Sequence, residues 1–302
     1  MKIALVDTTG EAAITLARIA DAVEFQIANH YARMWQSAGV ILAVYSDIAH
    51  VPSNDGEGGT WSIMAILKDS DEAGALGYHA TTPDGRPYAR IFTGPILGNG
   101  GTWIEGSNSV SQCVSHEALE MVGDPYANWW ADAEEGYERA IELCDYVEED
   151  TYEIEKVAVS NFLGPRAFSA GPGPYDYMGI LSNMTDKPRP GNYEIRRSIS
   201  GTAYPVYGER YPEWKKALKS HPASRTARRL RLHDEYMVIG DEVPDQAAID
   251  LKRMSRYAKG LAATSFPPVA GGSYNLEDDA SEPPPKSKQP LFTGKLTDLV
   301  RR

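Results

Sequence analysis

The sequence is poor in the features that would place it in several large classes. It has two cysteines, Cys113 and Cys144, in 302 residues. That excludes a disulfide framework and makes buried free thiols in a reducing compartment the simpler expectation. Neither thiol has a C-x-x-C partner, which leaves Cys144 a weak metal donor. No apolar run is long enough to cross a membrane. The first residues, MKIALVDTTGEAAITLARIADAVEF, hold one early lysine and a short apolar stretch but no cleavage site, so no signal peptide is read. A cytoplasmic location is therefore expected. Basic excess is also missing: the formal net charge is −12, which argues against general nucleic-acid binding. There is no internal repeat.

What is present is the composition of a folded domain, with 42% hydrophobic and 24% charged residues. Residues 2–7 (KIALVD) read as a short apolar strand. Residues 12–37 carry Ile14, Ala17, Ile19, Val23, Ile27, Tyr31 and Met34 at roughly helical spacing, and Gly39 follows as a stop. Residues 40–51 and 61–68 read as strands. Two short β runs flank Pro83-Asp84-Gly85 and predict a hairpin. A helix is expected over 111–123, and a second helical pattern over 130–143. Residues 145–162 are acidic and β-like, and 192–198 read as a last strand. Strand, helix, two strands, hairpin and helix predict an α/β (α+β) sandwich, with a mixed sheet packed on two helices.

The composition changes near residue 200. Residues 201–262 read as a basic helical extension, with Lys215, Lys216, Lys219, Arg225, Arg228, Arg229 and Arg231 on one stretch. Residues 263–302 read as a flexible Pro-rich tail ending in the short docking segment LFTGKLTDLVRR. A tether of that kind can reach a neighbouring copy or an assembly partner.

The chemistry-bearing stretch is 111–125, SQCVSHEALEMVGDP. On a helix, residues four apart lie one turn apart on nearly the same face. His116 and Glu120 would point the same way, with Glu117 one step round. Two donors from adjacent turns suit a divalent cation, and the neighbouring carboxylate can take a proton from water polarised by that cation. Glu117 is thus the candidate general base, and His116 and Glu120 the candidate ligands. For a third ligand Asp124 is favoured, because it can fold back after Gly123; Glu142, Asp145 and Glu148 stay open. One histidine among carboxylates is a harder donor set than a typical zinc site, so calcium, manganese or magnesium are compatible beside the zinc that the motif spacing suggests. Tyr78 and His79, on the hairpin before the helix, read as an exposed edge pair or as the lining of a substrate cleft.

The motif His116-Glu117-x-x-Glu120, preceded by a mixed sheet, resembles the zincin metallopeptidase fold, and Gly123 sits where the metzincin branch has its glycine. Glu120 replaces that branch's second histidine, and its third ligand would fall on Tyr126. Tyr177-Met178-Gly179 lies where the branch carries a methionine turn. The resemblance implies zinc-dependent hydrolysis of a peptide or protein substrate. The phrases LGYH, DGRPYARIF, CDYVEED and YDYMGIL are also similar to those of uncharacterised phage and bacterial proteins. That implies an alternative: a structural or assembly protein, such as a virion component, that keeps a peptidase-like fold without turnover.

Overall fold

The computed structural model describes residues 1–213, except 11–12, 53–60, 72–74, 83–85, 133–135, 170, 185–186 and 199–202. Most of the 201–262 extension and all of the 263–302 tail lie outside the described residues.

Strand β1 (Lys2–Asp7) is followed by helix α1 (Ala13–Gln26), which runs through a π-helical turn at Ile27–Tyr31 into α2 (Ala32–Trp35). The buried stripe is Leu16, Ile19, Val23, Ile27, Tyr31 and Trp35, while Ile14 and Ala17, expected on it, face outward. Gln36 takes the left-handed conformation at the end of α2, with φ 51°.

Strands β2 (Ile41–Tyr45), β3 (Trp61–Leu67), β4 (Gly77–Thr81) and β5 (Pro87–Phe92) complete a five-stranded sheet of order β2-β1-β3-β5-β4. Pairing is parallel except between β4 and β5, so β4 is an antiparallel edge strand. Every residue of β3 is buried, as expected of a parallel strand covered on both faces. Ile3, Leu5, Met64, Ile66, Ala89 and Ile91 point to the helical side. Ala4, Val6, Ile63, Ala65, Tyr78 and Ala80 point to the other.

After the short helix α3 (Thr93–Gly98) comes α4 (Val110–Gly123). Ser109 caps it, its side chain accepting a hydrogen bond from Gln112 N. Thirteen of its fourteen residues are buried, because it is packed among β4, β5, α1 and the hairpin that follows. That hairpin is β8 (Thr151–Ile154) with β9 (Val157–Ser160), reached after β6 (Trp130–Asp132) and β7 (Tyr137–Ala140). Ser115 Oγ ties α4 into place, donating to Gln26 Oε1 at 2.7 Å and accepting from Ser160 N at 2.9 Å.

Residues 130–143 are not helical. β6 and β7 pair antiparallel, and β7 pairs with β10 (Tyr193–Ser198), which pairs with β11 (Ala203–Tyr207). The reason is tertiary: Arg139 bonds Glu194, and Arg197 bonds Glu138 at 2.6 Å. This small sheet also crosses residue 200, the boundary expected from composition.

Candidate metal centre

Helix α4 presents the motif as its spacing requires. His116 Nε2 lies 3.2 Å from Glu120 Oε1, one turn on. The same nitrogen lies 3.3 Å from Asp145 Oδ1. Asp145 arrives on a 3-10 turn, Asp145–Val147, that follows β7. Ile141, Leu143, Cys144 and Val147 enter the core and pin this segment against α4. Cys144 N donates to Glu120 Oε1 at 3.3 Å. Gly123 makes the approach possible: a Cβ there would lie 2.3 Å from Leu143 Cδ1. Its role is therefore close packing; it lies in the last turn of α4 and is not among the glycines with positive φ.

The exposed edge pair is overturned: Tyr78 is buried, and so is its neighbour His79. It is 4% exposed and turns inward from edge strand β4. Its Nδ1 lies 3.2 Å from Glu120 Oε2 and 3.5 Å from Glu117 Oε2. The alternation along GYHAT held the signal: Tyr78 and Ala80 pack on the far face, which leaves His79 on the helical side. Two groups of donors converge here, His116–Glu120–Asp145 and His79–Glu120–Glu142, each with its ligand atoms within 4.8 Å of one another.

The other candidates lie elsewhere. Asp124 is fully buried at the end of α4, and its Oδ2 accepts a hydrogen bond from Trp129 N at 2.7 Å. It belongs to neither converging group. Glu148 accepts from Tyr211 at 3.2 Å. Tyr126 is 45% exposed and Met178 is 39% exposed, so neither resembles a ligand or a buried methionine support. Cys144 is buried, and burial pushes its thiol well above the usual range.

The electrostatics follow from burial among opposite charges. Burial alone would keep His116 neutral, but the Glu120 and Asp145 carboxylates outweigh it and raise its pKa well above the usual histidine value. His79 is raised in the same way by Glu117, Glu120 and Glu142, again against burial. Burial raises the Glu117 carboxyl despite both histidines. For Glu120 burial acts in the same sense, yet the two histidines hold its carboxyl well below the ordinary range.

The arrangement fits a divalent cation. Ligands about 2.0–2.1 Å from a tetrahedral zinc sit roughly 3.3 Å apart, and the His116–Glu120 and His116–Asp145 separations have that length. Asp145 Oδ1 is buried and faces the His116 ring nitrogen.

Comparison with protein-family models, with curated proteins and with solved structures gives no match for this chain. No helix among the described residues is long and apolar enough to cross a membrane.

Proposed function

We propose that this chain is a zincin-like, metal-dependent peptide hydrolase, with His116, Glu120 and Asp145 holding a divalent cation. The observation that carries the reading is the convergence of these three buried side chains from two separate segments. The third position thereby moves from Asp124, favoured by sequence, to Asp145. Support for the fold comes from the mixed sheet with its antiparallel edge strand and from the His-Glu helix packed against it.

A cation held by His116, Glu120 and Asp145 would lower the pKa of water and polarise a carbonyl oxygen. The chain supplies the rest. Glu117 lies on α4 one residue from His116, and its carboxyl, raised by burial, suits a group that takes a proton and returns it to the leaving amine. His79 Nδ1 lies 3.5 Å from Glu117 Oε2, beside that carboxylate.

The test incubates the zinc-loaded full chain with a pool of unfolded peptides and reads new termini by mass spectrometry. Cleavage by the native chain, absent in Glu117→Gln at equal metal content, is the expected result. Equal cleavage by the two would remove Glu117 from the chemistry.

One observation favours a second reading, a non-catalytic ion site in an assembly protein. The donors are deeply enclosed, with His116 8%, Glu120 4% and Asp145 4% exposed. In that reading residues 201–302 dock on neighbouring copies, and the chain binds zinc but cleaves nothing.

A further inference from the structure

Glu120 divides its two oxygens between two histidines. Oε1 faces His116 Nε2 and Oε2 faces His79 Nδ1, each at 3.2 Å. Each histidine also has a carboxylate of its own, Asp145 beside His116 and Glu142 beside His79. We infer that Glu120 is a bridging carboxylate between two divalent cations, the second held by His79, Glu120 and Glu142. This rests on the reading of the first set as a metal site.

Three observations support the pair. The first is geometric: Glu120 turns one oxygen to each histidine, the arrangement of a carboxylate shared by two ions, and two-metal hydrolytic sites hold their ions about 3.5–4 Å apart. The second is the sequence of the supporting segment. Glu142 and Asp145 are separated by Leu143 and Cys144, both fully buried in the core, so the chain is anchored between the two donors and delivers one to each histidine.

The third is enclosure. Glu117, Glu120, Glu142 and Asp145 bring four carboxyl groups together, each 4–6% exposed, with Glu117, Glu120 and Asp145 beside the two histidines. Carboxyl groups gathered out of water are tolerated when cations compensate them. Glu117 Oε2, also buried, lies 3.5 Å from His79 Nδ1. The donors of the second set are one imidazole and two carboxylates, a set that suits zinc or manganese.

The experiment counts zinc equivalents on the demetallated full chain by equilibrium dialysis and elemental mass spectrometry. The native chain is expected to take two equivalents. His79→Ala and Glu142→Gln are each expected to keep one. One equivalent in the native chain, lost in His116→Ala and kept in His79→Ala and Glu142→Gln, would overturn the second ion and leave the hydrolase reading standing. One equivalent kept in His116→Ala and lost in His79→Ala would overturn both. No zinc would do the same. Electron paramagnetic resonance of the manganese-loaded native chain needs no variant to fold. An exchange-coupled pair spectrum is expected at saturation, and the spectrum of isolated ions would overturn the bridge.

Discussion

Replacing Gly123 by alanine tests how the two halves of the centre are brought together. The glycine ends α4, and the added Cβ would lie 2.3 Å from Leu143 Cδ1 and 2.6 Å from Leu143 Cγ. Ordinary carbon contacts need about 3.5–4.0 Å. Leu143 must therefore retreat by more than an ångström, yet it is fully buried and is flanked by Glu142 and Cys144. Overpacking of this size costs about 1–3 kcal/mol. Alanine returns at most about 1 kcal/mol of helix propensity, and less at a helix end. A net loss of about 1–2 kcal/mol is expected in urea unfolding, as a lower midpoint with unchanged slope. The same displacement carries Glu142 and Asp145 away from α4, so zinc affinity falls in parallel. Leu143→Ala alone costs about 2–5 kcal/mol. Because the new Cβ fills the space left by the leucine, the double variant is expected to be more stable than the sum of the two losses predicts. Strict additivity, or a Gly123→Ala chain as stable as the native one with unchanged zinc affinity, would refute the reasoning.

Other expectations follow from the same geometry. Glu117→Gln is expected to lower peptide cleavage by about 10²–10⁴-fold, the usual worth of a general base, with metal content unchanged; cleavage at the native rate would exclude it as the base. Ser115→Ala leaves Ser160 N and Gln26 Oε1 without their buried partner, and a loss of about 1–3 kcal/mol in urea unfolding is expected. Without metal, the raised histidines stabilise the fold fully below their unfolded pKa of about 6.5, and that contribution is lost as pH rises through their folded values. Glu120, held low, acts in the opposite sense: its contribution is present above about 4.3 and is lost on acidification through its folded value. The urea midpoint in chelator is thus expected to fall on the alkaline side. The stabilisation given by zinc should grow with pH, since binding displaces protons from both histidines. A chelator midpoint that climbs steadily with alkaline pH would contradict this.

The sequence carried the elements whose pattern is local. The run KIALVD marks β1, and the strand pattern at 61–68 marks β3. The one-turn spacing of His116 and Glu120 sets their shared face on α4. What was hidden depends on distant partners. The 130–143 segment reads as a helix by itself, and becomes β6 and β7 because Arg139 meets Glu194, 55 residues on. Asp124 is nearest to the motif along the chain, but it is occupied in the turn that holds Trp129. Asp145, farther away, is returned to the site by the packing of Leu143 and Val147. His79 sits on an edge strand: the alternation along GYHAT separates its face from that of Tyr78 and Ala80, and the sheet order shows that this face meets α4.

The central claim is that Asp145, not Asp124, completes the cation site begun by His116 and Glu120. The direct measurement is zinc content by elemental mass spectrometry on the full chain, read for Asp145→Asn and Asp124→Asn side by side. Asp145→Asn is expected to lose at least one equivalent and Asp124→Asn to match the native chain, since asparagine still accepts from Trp129 N. Zinc lost in Asp124→Asn and kept in Asp145→Asn, or no zinc in the native chain, would contradict the account.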